Sequence, residues 1–139
     1  MSADYPSMTT AEIRSKFLNF FEERGLKLYP SSSLVPDDPS LLLANAGMNQ
    51  FKEYYQGKKT MKEIGAISCQ KCVRTNDIDC IGEDGRHLSF FEMLGDFSFG
   101  GVSKQQACAW AFELITKEFK LPLDRLYFTV SVSYTHLTL

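Results

Sequence analysis

No apolar stretch in this chain approaches the roughly 20 residues a helix needs to cross a bilayer. Its polar opening, MSADYPSMTT, does not read as a signal peptide. A membrane protein is therefore not expected, and the cytoplasm is the expected compartment. Charge of one sign is also missing. Fifteen Lys and Arg against 17 Asp and Glu leave a formal net charge of −2, so nothing electrostatic favours tight, autonomous nucleic-acid binding. Lys58, Lys59 and Lys62 cluster, but Glu53 and Glu63 beside them make a solvated surface the expected reading. There is no GxxxxGK[ST], no GxGxxG after a strand and no Gly-x-Ser-x-Gly, and no internal repeat is visible. P-loop, Rossmann and nucleophile-elbow sites are thereby set aside. Cysteine is sparse, and Cys69, Cys72, Cys80 and Cys108 are expected to stay reduced in a cytosol.

What is present suffices for one domain: 139 residues with eleven Phe can bury a real core. Thr9-Thr10-Ala11-Glu12 reads as a capping box. Ile13, Phe17, Phe20 and Phe21 follow at helical spacing, and Gly25 stands at the C-terminal cap, so the pattern predicts a helix over about 10–24. Leu26 to Tyr29 reads as a short strand stopped by Pro30, and SSSLVPDDPS as a loop. Leu41 to Ala44 is predicted as a buried strand, with NAGMN turning into a short helix through Tyr55. Ala66 to Thr75 and Leu88 to Leu94 are predicted as an antiparallel hairpin. Ser103 and Gln106 form a second capping box, and Ala107, Trp110, Ala111, Leu114 and Ile115 mark the inner face of a helix to about Lys120. Leu126 to Val130 closes the pattern as a strand. The expected class is α+β, an antiparallel sheet flanked by helices. SVSYTHLTL carries no cap or turn, so residues 1–130 are expected to be part of a longer domain and 131–139 a separate tail.

The chemistry concentrates between Ser68 and Gly101, where Arg74, Arg86, His87 and Glu92 stand among Cys72, Val73, Phe90, Phe91, Met93, Leu94, Phe97 and Phe99. Charged groups are rarely buried unless paired or bound, so this mixture implies an internal ion pair or a pocket for a charged, planar ligand. Cys69-x-x-Cys72 invites a metal reading. On a strand, however, residues three apart point to opposite faces, and a tetrahedral zinc site needs four ligands, so no metal is expected. Arg74 ends an apolar strand and opens a polar loop, where its planar fork can meet phosphate or carboxylate oxygens. The competing role is a salt bridge with Asp77, Asp79 or Glu92. Arg86 and His87 precede Phe90 and Phe91 by four residues each, a spacing that on one strand face would set cations beside an aromatic platform. Phosphates would lie at the first and a base on the second; a core aromatic beside a surface charge is the simpler alternative.

PSSSLVPDDPSLLLANAGMNQFK (30–52), CQKCVRTNDI (69–78) and RHLSFFEMLGDFSFG (86–100) resemble the start of the catalytic domain of bacterial alanyl-tRNA synthetases, within the class II aminoacyl-tRNA synthetases. The resemblance covers about residues 8–130. It implies an alanine–tRNA ligase that uses ATP and Mg²⁺ to activate L-alanine and passes the alanyl group to tRNA(Ala). The alternative is a non-catalytic ATP-binding remnant.

By resemblance the first helix and the segment to Pro36 form motif 1, and the hairpin forms motif 2. Arg74 would contact the ATP α-phosphate and the alanine carboxylate. Arg86 with Phe90, or His87 with Phe91, would supply the γ-phosphate contact and the ring stacked on adenine, and both registers stay open. Met93 would lie close to adenine, and Asn76 and Asp77 resemble loop residues that help hold substrates or the tRNA acceptor end. Two positions depart from the pattern: Leu26 replaces a His, and Asp96 replaces the Asn of MLGNFSFG. Asp96 would weaken anion binding if it faced inward. The resemblance places motif 3, the residue recognising the alanine amino group, the editing region with its zinc and the oligomerisation region downstream, so the chain alone is expected to be inactive.

Overall fold

The computed structural model describes residues 7–76 and 78–129. Helix α1 spans Thr10–Glu22 and begins as its sequence requires. The Glu12 carboxylate accepts from the Thr9 amide at 2.7 Å, and Thr9 Oγ1 accepts from the Glu12 amide at 3.3 Å. These two bonds satisfy donors that a helix start otherwise leaves unpaired. The chain reverses at Gly25, whose φ is +88°. Phe17, Phe20 and Phe21 on the inner face of α1 pack with Leu26, Ile67 and Leu114 as the main apolar core. Phe21 meets Phe17 and Phe20 edge-on, with centroids 5.0 and 5.1 Å away. Burying each such ring stabilises by about 1.5–3 kcal/mol.

Strand β1 (Lys27–Leu28) runs parallel to β2 (Gly65–Val73), and β3 (Phe90–Ser98) runs antiparallel to β2 in the order β1-β2-β3. The register pairs Ile67 with Asp96, Cys69 with Leu94 and Lys71 with Glu92, on the face that meets α1. Ala66, Ser68, Gln70 and Cys72 pair with Phe97, Gly95, Met93 and Phe91 on the other face. That second face is roofed by the helical turn Gly47–Phe51, which leads into the short helix α2 (Lys52–Tyr55). Phe51, 1% exposed, sits in it against Phe97, Phe99 and Tyr29. Helix α3 (Lys104–Glu113) starts on Ser103, whose Oγ accepts from the Gln106 amide, and continues as one wider turn over Leu114–Glu118. No helix among the described residues is long and apolar enough to cross a membrane.

The α+β class stands, with a mixed rather than purely antiparallel sheet because β1 joins in parallel. Three predicted elements differ. Leu41 to Ala44 is not a strand. Ala44 makes single bonds to Leu34 and Val73, and Leu42 is 84% exposed, so the apolar run skirts the end of β2 rather than pairing along it. Residues 126–129 form no strand either; Val130 lies outside the described residues. The hairpin strands are shifted, with β3 starting at Phe90 instead of Leu88 and reaching Ser98. On α3, Leu114 is buried as expected, whereas Ala107 and Ala111 are exposed.

Candidate functional site

Arg74 stands one residue beyond β2, and its amide still bonds the Ser89 carbonyl across the hairpin at 2.9 Å. Alternation along β2 therefore puts it on the face of Gln70 and Cys72. Its Nε–H donates to the Asn45 carbonyl at 3.1 Å, and its guanidinium carbon lies 5.2 Å from the centre of the Phe91 ring. A guanidinium within about 6 Å of an aromatic centroid is attracted by the ring's quadrupole. Arg74 also lines a cavity of about 220 Å³ with Leu41, Asn45, Thr75 and Asn76. A larger cleft of about 550 Å³, walled by residues between Ser32 and Lys59, shares Leu41 with it but is not lined by this arginine. Size alone does not choose between them. The smaller one is lined by the anchored arginine.

Of the partners proposed for an internal role of Arg74, Glu92 is engaged elsewhere. Glu92 bonds Arg14 of α1 at 2.7 Å on the opposite face, and that guanidinium lowers its pKa. Among the described residues no carboxylate forms a salt bridge with Arg74, Asp79 included; Asp77 lies outside the described residues.

Alternation separates the two aromatic candidates. Phe91 and Met93 share the face of Arg74, and Phe90 lies on the other face, 52% exposed. Met93 is held beneath the roof, its sulfur accepting from the Gly47 amide at 3.2 Å. Arg86 and His87 are not on a strand, so the same-face inference from their spacing fails. Both belong to an exposed turn capped by Asp84, whose carboxylate accepts from the Arg86 and His87 amides at 2.9 and 3.0 Å and meets the His87 ring at 2.6 Å. These bonds, led by the His87 amide, lower the Asp84 pKa to about 2. Asn76 lines the Arg74 cavity.

Two residues that sequence reasoning passed over hold this face together. The Asn45 carbonyl is a backbone acceptor, invisible in side-chain patterns. Gln70 is a polar side chain at 1% exposure inside an apolar strand, four residues before Arg74 on the same face, and that burial pattern was its signal. Cys69 and Cys72 lie on opposite faces, as strand alternation required, and burial pushes both thiols up in pKa. Among the described residues no three His, Cys, Asp or Glu side chains converge to hold a metal ion. Of the two departures, Leu26 is buried in the apolar core at 4% exposure, and Asp96 lies on the sheet face away from Arg74.

Residues 12–135 match the family model of the tRNA synthetases class II (A). The alanine–tRNA ligase of Synechocystis sp. is 51% identical over 130 residues, covering 94% of this chain and 15% of the relative. That of Pseudothermotoga lettingae is 52% identical over 123 residues, 88% of this chain and 14% of the relative. The chloroplastic/mitochondrial alanine–tRNA ligase of Sorghum bicolor is 55% identical over 118 residues, 85% of this chain and 12% of the relative. The chain thus spans about an eighth to a seventh of the length of these relatives, 12–15%.

Proposed function

Because this chain belongs to the tRNA synthetases class II (A), we propose that the face bearing Arg74, Phe91 and Met93 is part of the site where an alanine–tRNA ligase joins alanine to ATP. The observation that carries this is the anchored arginine. Bonded through Nε to Asn45 and set against Phe91, Arg74 would present its Nη donors to the cavity it lines. An amino-acid carboxylate is already ionised at neutral pH and needs no general base. Its oxygen attacks the α-phosphorus, the bond to the β-phosphate oxygen breaks, and pyrophosphate leaves with the electron pair. The protein has only to align two anions and offset the charge gathering on the α-phosphate. A guanidinium, which keeps its charge and has a planar fork, suits that task better than a titrating group.

Phe91 would stack on adenine, and Met93 would pack at its edge. Arg86 or His87 would supply the γ-phosphate contact, as the resemblance implies. Mg²⁺ would ride on the phosphates, because the described residues offer no metal cage of their own. Transfer of the alanyl group to tRNA(Ala) would follow in a full-length ligase. The cavity at Arg74, about 220 Å³, falls below the roughly 300–1,000 Å³ typical of ligand pockets. These 139 residues would therefore hold ATP weakly and show no alanine-dependent pyrophosphate exchange by themselves.

Titration of Mg·ATP into the chain and its Arg74→Ala variant tests the reading. Loss of a charge-assisted contact costs about 1.5–3 kcal/mol, so affinity should fall at least about tenfold. Equal affinity in the two proteins would refute it.

A further inference from the structure

Arg74 is aimed by a chain of hydrogen bonds that begins in the interior. Gln70 Oε1 accepts from the Ser32 amide at 2.9 Å, the Ser32 hydroxyl at 3.1 Å and Gln50 Nε2 at 3.0 Å. Its Nε2 donates to the Ser32 and Lys71 carbonyls at 3.2 and 2.8 Å. One buried amide therefore ties β2 to the loop at 32 and to Gln50 in the turn Gly47–Phe51. One residue, Ala46, separates that turn from Asn45, whose carbonyl receives the Arg74 Nε–H. Asn45 is braced twice more: its side-chain oxygen accepts from Asn49 Nδ2 at 3.0 Å, and its neighbour Ala44 bonds Leu34 and Val73. The roof also rests directly on Gln70, with the Gly47 Cα so close that an added Cβ would lie 3.8 Å from Gln70 Cβ.

We propose that Gln70 and Gln50 are positioning residues for Arg74. The bond between their amides fixes the turn that carries the Asn45 carbonyl, and that carbonyl in turn fixes where the guanidinium fork points. The inference rests on the reading of Arg74 as the ATP contact. Its physical logic is that an arginine has several rotatable bonds, and an anion site gains from having that freedom removed before the ligand arrives. An Nε bond to a rigid carbonyl removes it while leaving the charge intact.

The test uses four forms of the chain, parent, Gln50→Leu, Arg74→Ala and the double variant, with arginine Nε labelled with ¹⁵N in the two that keep Arg74. In Gln50→Leu the Arg74 Nε–H should exchange faster with solvent, and Mg·ATP should bind about three- to tenfold more weakly, the span expected for one net hydrogen bond. The double variant should bind Mg·ATP no more weakly than Arg74→Ala alone, because a positioning residue has nothing to act through once the arginine is gone. Gln70→Met should behave alike with a larger loss, and Gln50→Leu, a less buried site, serves if that core variant does not fold. Unchanged Nε–H exchange in Gln50→Leu, or equal loss of ATP affinity in both backgrounds, would overturn the positioning role. If Arg74→Ala leaves ATP affinity unchanged, the functional reading falls, while the exchange rate still decides the tether.

Discussion

Replacing Gln70 by leucine keeps most of the side-chain volume and removes every hydrogen bond it makes. The residue is 1% exposed and makes five such contacts. The Ser32 hydroxyl can turn to water, and Gln50 Nε2 keeps the Pro30 carbonyl at 3.3 Å. The Ser32 amide, part-buried against the sheet, loses the acceptor it has here, as do the Ser32 and Lys71 carbonyls their donor. Lys71 is exposed, so water can take up its carbonyl; leaving a buried polar group unpaired costs about 1–3 kcal/mol, so the Ser32 amide and carbonyl together cost roughly 2–6 kcal/mol. Leucine returns about 1–2 kcal/mol as apolar burial, leaving a net destabilisation of about 3 kcal/mol. For a domain of this size that lowers Tm by about 12 °C. Urea denaturation followed by far-UV circular dichroism measures it directly. A loss below about 1 kcal/mol, with the transition slope unchanged, would refute the view that this amide organises the roof.

Gly65→Ala should cost about 1–3 kcal/mol in the same assay, because its Cβ would meet the Phe97 backbone carbonyl across the ladder and Leu26 on the core side; wild-type stability would contradict the register. Thr9→Ala should remove about 1 kcal/mol by opening the capping box of α1, and helix content near residue 10 should fray first. The Asp84 carboxyl has a folded pKa of about 2, below its ordinary 3.8. Its contribution to the turn is therefore complete above about pH 4 and is lost as pH falls through about 2. The ¹³Cγ shift of Asp84 should titrate well below 3.8, and an ordinary midpoint would mean the turn is not capped in solution.

Much of the frame was legible because its causes are local. Thr9 and Glu12 lie within one turn, as do Ser103 and Gln106, so both helix starts could be read from four-residue windows. The hairpin was legible from two β-rich runs around a polar loop, and once its register is known, alternation alone separates Phe91 from Phe90. What escaped depends on contacts distant in sequence. Leu41 to Ala44 has a strand's composition, but no partner strand is available there, and Leu42 faces solvent. Arg86 and His87 carry the right residue types, yet Asp84 bends their segment into a turn, where spacing by four says nothing about faces. Asn45 acts through its backbone, and Gln70 reaches Ser32 across 38 residues of sequence. Neither can be found by reading charges and rings.

The claim on which the rest depends is that nucleotide lies on the sheet face shared by Arg74 and Phe91. Isotope-filtered NOE spectra of the labelled chain with Mg·ATP measure this directly. Contacts from the adenine H2 and H8 protons to the Phe91 ring and the Met93 methyl are the predicted result. Contacts to Phe90 instead, or to the cleft between Ser32 and Lys59, would contradict it.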